Sequence, residues 1–111
     1  MDSYNVVITD QALNQLESYI DYIQYVIIDE QAADAVTLDA IETQNRLQNM
    51  AEVLSPCKNI FLKSLGYHLM RFKYHRYVML YRIEENTAIV EAIYHQMQDY
   101  ESTFLNEIWN D

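Results

Sequence analysis

The hydrophobic period of this chain changes partway along, and that change limits its possible folds more than any other feature. Leu13, Leu16, Ile20, Ile23 and Ile27 recur at spacings of three and four, with Glu17, Asp21 and Gln24 off the seam. After Asp29, the residues Ala33, Val36, Ala40, Thr43, Leu47, Met50 and Leu54 repeat the rhythm. Such spacing draws one apolar stripe along a helix. It predicts two long helices, the first capped by Thr9 or Asp10 and the second by Asp29. From Tyr67 onward the period falls to two. The stretches Tyr67 to Lys73, Tyr77 to Ile83 and Thr87 to His95 are rich in Tyr, Val, Ile and Met, and are parted by Tyr74 with His75 and by Glu85 with Asn86. That pattern predicts three consecutive antiparallel strands.

The ends complete the expectation. Tyr4 to Ile8 reads as a short leading strand, and Phe104, Leu105, Ile108 and Trp109 give one apolar face to a short helix capped by Asp99 or Ser102. Two helices joined by a tight turn pack as an antiparallel hairpin, because each must bury its stripe. The expected class is therefore α+β: a leading strand and helix hairpin packed on a mostly antiparallel four-stranded sheet, with a short C-terminal helix. At 111 residues, one domain over residues 1–111 is the default. With the hairpin on one face, the basic residues are expected on the other face or at its rim.

Charge is segregated. Residues 58 to 83 hold Lys58, Lys63, Arg71, Lys73, Arg76 and Arg82 and no acid, for a net +6, between flanks of −9 and −7 in a chain of net −10. A positive island in an acidic body attracts phosphates or an acidic protein segment. No stretch reaches the ~20 apolar residues of a membrane span. The start, with Asp2 and no base before Arg46, lacks the character of a signal peptide, so a cytoplasmic protein with no membrane partner is expected. The single Cys57 beside Pro56 permits no internal disulfide and no multi-cysteine zinc site, and reads as an ordinary thiol in a loop.

Several segments together resemble the RelE/ParE toxins of bacterial type II toxin-antitoxin systems. They are Leu54-Ser55-Pro56, the run from Gly66 to Arg71, the run from His75 to Ile83 with its Tyr81-Arg82-Ile83, and the run from Ile93 to Glu101 containing Tyr94 and His95. The order of elements is similar too. The resemblance implies a toxin with a cognate antitoxin protein as partner. In the ribonuclease branches it implies an enzyme that enters the ribosome and cuts messenger RNA, with the RNA's 2′-hydroxyl as nucleophile and with neither metal nor cofactor. In the gyrase-poisoning ParE branch, which the chain resembles in its long helix hairpin and C-terminal helix, it implies a non-nucleolytic inhibitor of DNA gyrase. A degenerate toxin fold acting as a binding module is a third reading.

By that resemblance, Arg71 and Arg76 fall where arginines clamp the scissile phosphate, and His95 and Tyr94 fall where a His and Tyr pair assists. Such cleavage needs cations on the phosphate and groups that move protons; His titrates near neutrality and Tyr stacks on bases. Lys58, Lys63, Lys73 and Arg82 are the further expected contacts to RNA or antitoxin. Residue type alone supports blander roles as well. Tyr94 alternates with Ala92 and Val90, the spacing of a core residue, and His68 and His75 read as structural or solvent-facing. Two departures oppose ribonuclease chemistry: the net acidity repels RNA, and the stretch from Lys58 to Lys63 offers no carboxylate or His.

Overall fold

The computed structural model describes residues 3–109, so Asp2 and Asp111 of the charge tally lie outside the described residues. Strand β1 (Asn5–Ile8) leads into helix α1 (Asp10–Asp21). Thr9 caps α1, its hydroxyl accepting the Ala12 N–H at 3.2 Å. α1 runs on as a five-residue π turn, Tyr22–Val26, and the chain reverses at Ile28, whose φ of 60° is unusual for a β-branched residue. Helix α2 (Glu30–Met50) follows, with Asp29 accepting the Ala32 N–H at 3.0 Å. Both expected N-caps are therefore in place, and the first seam ends in a wider helical turn.

A short helix α3 (Ile60–Ser64), capped by the Asn59 side chain, stands between the hairpin and the sheet. It was not expected, because five residues are too few to show a seam. Gly66, at φ 87°, takes the left-handed conformation that favours glycine and turns the chain into β2 (Tyr67–Arg71). Strands β3 (Tyr77–Glu84) and β4 (Thr87–His95) and helix α4 (Tyr100–Trp109) complete the chain. The sheet order is β1-β4-β3-β2, parallel between β1 and β4 and antiparallel elsewhere. A bulge falls between Leu80 and Tyr81, whose partners are Ala92 and Val90, so Glu91 is the extra residue.

Two cores result, one on each face of the sheet. Leu16, Val36, Ala40 and Leu47 of the hairpin pack on Met70, Met79, Tyr81 and Ile93. On the opposite face Cys57, Leu62 and Phe104 pack on Tyr67, Val78, Leu80 and Tyr94. The second face is therefore not the open basic surface expected from the hairpin alone, because α3 and α4 occupy it. Among the described residues, no helix is long and apolar enough to cross a membrane.

Candidate functional site

Successive residues of a strand point to opposite faces, and this separates the expected site residues. Arg71 pairs in register with Val78, and Val78 with Tyr94, which puts these three on the face that α4 covers. Tyr94 is 3% exposed, and its hydroxyl donates to Glu107 Oε1 at 3.0 Å. Burial first, then that carboxylate, pushes its hydroxyl above the ordinary tyrosine range. A sealed, neutral phenol of this kind is a packing residue. Arg71 is exposed at the end of β2.

His95, the next residue, takes the other side, and Arg76 lies in the turn before β3, outside the strand alternation. They meet at the end of the sheet nearest the hairpin turn, where an open cavity of about 390 Å³ has a floor of Ile23, Ile27, Ala32 and Val36 and a rim that includes Tyr74, His75, Arg76 and His95. The backbone carbonyl of Arg76 accepts the Gln96 N–H at 2.8 Å, which ties the rim's turn to the end of β4. Gln98 Oε1 accepts both the His95 N–H at 3.2 Å and the Tyr19 hydroxyl at 3.1 Å, fixing that end to α1. The His95 ring stands edge-on to Tyr77, centroids 5.3 Å apart. Tyr74, beside Arg76, is 66% exposed. The cavity combines a cation, two imidazoles and an exposed aromatic ring over an apolar floor. That set suits an anionic ligand with a flat hydrophobic part.

The remaining cations are dispersed. Arg82 is held between Glu84, at 2.7 Å, and Glu91, and those two carboxylates raise it above the ordinary arginine range. The β4 bulge carries Glu91 to that position, where it also accepts the Tyr67 hydroxyl at 2.9 Å. Lys73 Nζ lies 3.8 Å from Glu42 Oε1 and 5.2 Å from the Tyr74 ring centre. Lys58 and Lys63 are exposed on the far side of the molecule, in the loop before α3 and on α3 itself. Among the described residues no ion pair engages Lys58, Lys63, Arg71 or Arg76. Cys57 is buried, and burial, then the charge of Glu101, pushes its thiol up to about 12. Among the described residues, no three His, Cys, Asp or Glu side chains gather as a metal-binding group.

Two functional candidates escaped the sequence. His75 belongs to the cavity rim, and Asp39 of α2 lies directly behind it, its Oδ2 2.7 Å from His75 Nδ1. An Asp on the apolar side of α2, next to the seam residue Ala40, was the available signal, since a buried carboxylate is rare without partners.

A model of the "ParE toxin of type II toxin-antitoxin system, parDE" family matches residues 6–100. No curated protein matches the chain in sequence. Among solved structures, the chain is similar to one from the "Chromosomal ParDE TA system from P. aeruginosa", with a TM-score of 0.70 at 16% identity over 84% of this chain and 96% of that one. It is also similar to one from "the toxin-antitoxin complex RelBE2" of Mycobacterium tuberculosis, with a TM-score of 0.57 at 21% identity over 84% and 98% of the two chains. At these identities the likeness is one of fold.

Proposed function

The chain belongs to the ParE toxin family of type II toxin-antitoxin systems, and we propose that it arrests growth by cutting messenger RNA on the ribosome until an antitoxin protein binds it. The observation that carries this reading is the convergence of Arg76, His75 and His95 on one open cavity beside the exposed Tyr74. A guanidinium neutralises phosphate by paired hydrogen bonds. Imidazoles move protons near neutral pH, and an exposed tyrosine stacks on an unpaired base. Arg76 and His95 carry the chemistry. Arg71 and Tyr94, on the other face, do not.

The antitoxin is proposed to supply an acidic segment to the free cations, Arg71, Lys58 and Lys63 among them, with the solved relatives' toxin-antitoxin complexes as support. Arg76 joins them at the cavity, so one partner covering that cavity shuts the site. Lys73 and Arg82, already paired to carboxylates, contribute less, because a partner must first displace an internal acid.

A second reading, a non-nucleolytic poison of DNA gyrase, draws on the net charge of −10, which opposes binding to RNA. Controlled induction separates the two. Messages with new ends and stalled translation are expected for the wild type, and co-expression of the neighbouring gene product restores growth. Intact messages accompanied by a DNA-damage response select the gyrase reading instead.

A further inference from the structure

The proposed cleavage assigns chemistry to Arg76 and His95 but no base to the 2′-hydroxyl, and His75, placed on the rim, has no assigned step. Asp39 connects the two. Its carboxylate is 1% exposed, a costly position for a charge without partners. Three donors surround it: the Lys73 N–H at 3.3 Å on Oδ1, and on Oδ2 the Tyr74 N–H at 3.0 Å and His75 Nδ1 at 2.7 Å. A carboxylate at Nδ1 requires the ring hydrogen there. In neutral His75 the lone pair is therefore on Nε2, which makes no hydrogen bond within the described residues, and the side chain is 31% exposed. His95 is set the opposite way. Its Nδ1 accepts the Met97 N–H at 3.1 Å, which places the ring hydrogen on Nε2. One cavity rim thus presents a bare imidazole nitrogen and an imidazole N–H.

We propose that His75 is the general base for cleavage of an RNA phosphodiester and that Asp39 is its positioning residue; the proposal rests on the ribonuclease reading. His75 Nε2 takes the proton of the 2′-hydroxyl. The 2′-oxygen forms its bond to phosphorus as the bond from phosphorus to the 5′-oxygen breaks, and the departing 5′-oxygen takes a proton from water. The products are a 2′,3′-cyclic phosphate and a 5′-hydroxyl, and His75 then returns its proton to solvent. Asp39 fixes the tautomer and faces the imidazolium that forms. Arg76 and the His95 Nε2–H hold the phosphate oxygens as negative charge builds. The hydrogen bonds from Lys73 and Tyr74 to Asp39 hold the turn rigid, so the base and the cation keep their spacing.

The test uses purified protein with ribosomes translating a defined message, and the same message carrying a 2′-deoxy residue at the cut site. Wild-type protein is expected to leave cyclic phosphate ends and to spare the deoxy message. His75→Gln leaves the bonds from Lys73 and Tyr74 to Asp39 in place and should cleave about 100-fold more slowly. Asp39→Asn offers one acceptor oxygen where three donors need two; it should slow cleavage similarly and shift the ¹⁵N signals of His75 away from the Nδ1–H tautomer, a change that loss of stability alone does not produce. Full-rate cleavage by His75→Gln overturns the proposal while leaving the ribonuclease reading intact. A wild type that never cuts overturns both. Should Asp39→Asn fail to fold, His75→Gln decides.

Discussion

Tyr94 and His95 are neighbours in sequence, yet they belong to different parts of the molecule. Tyr94 points into the core under α4, 3% exposed, and its hydroxyl is bonded to Glu107. His95 points the other way, to a rim that opens on the hairpin turn. The contrast extends to their surroundings. The α4 face is made of tightly packed aromatics such as Tyr67 and Phe104, centroids 5.0 Å apart, whereas the hairpin turn leaves Tyr22, Tyr25, Ile27 and Ile28 exposed. At this end of the sheet one face is closed by packing and the other opens on a cavity, and a single step along β4 passes between them.

The largest expected effect tests the stability side. Phe104→Ala removes a side chain that is 1% exposed and should cost about 3–5 kcal/mol in denaturant unfolding. Ile27→Ala, at 56% exposure, should stay within about 0.5 kcal/mol; equal losses would break the comparison.

Next comes chemistry. Arg76→Ala should lower message cleavage roughly 100-fold, about 2.7 kcal/mol, while Arg71→Ala leaves the cleavage rate within a few-fold. The reverse ranking would move the active face to α4.

A smaller effect is expected of Tyr94→Phe. Losing one hydrogen bond to Glu107 should cost about 1 kcal/mol of stability with toxicity unchanged, and growth curves after induction read the second half of that statement. Full relief of growth arrest would give the hydroxyl a part in cleavage.

The smallest effect concerns titration. Burial first, with the carboxylates of Glu101 and Glu91 next, pushes Cys57 and Tyr67 each up to about 12. Both are neutral when protonated, and the unfolded chain ionises them at a lower pH. Their contribution is therefore fully present below about pH 9 and is lost as pH rises toward 12, since ionisation favours the unfolded state. Unfolding followed across that window should show the decline, and Cys57 should resist a thiol reagent at pH 8 until the protein unfolds. Rapid labelling of the folded protein would mean that the α4 face opens as readily as the cavity end.

Much of the fold could be read in advance from particular residues. Thr9 and Asp29 cap the helices that their positions predicted, and the strands begin at Tyr67, Tyr77 and Thr87 as the alternation indicated. What escaped was short or distant. Helix α3 is five residues long, less than two turns, so it leaves no period to detect. Of the residues that line the candidate cavity, Arg76 and His95 are singled out by residue type together with resemblance. Asp39 and His75 are not, since 36 residues separate them and only the packing of α2 against the turn before β3 makes them a pair. The fate of Arg82 was hidden likewise, because the bulge that brings Glu91 to it is set by strand register.

The amino-acid order alone determined the two long helices and their caps, the strands, the α+β class and the clustering of positive charge along the chain. Those properties depend on near neighbours: helical and strand periods repeat within a few residues, and a cap bonds to an N–H two or three positions on. The tertiary structure alone decided which cations are free, which histidine has a carboxylate behind it, and that Tyr94 is sealed while His95 is open. Charge, hydrogen bonding and burial act over a few ångströms in space, and in this chain those ångströms join residues tens of positions apart.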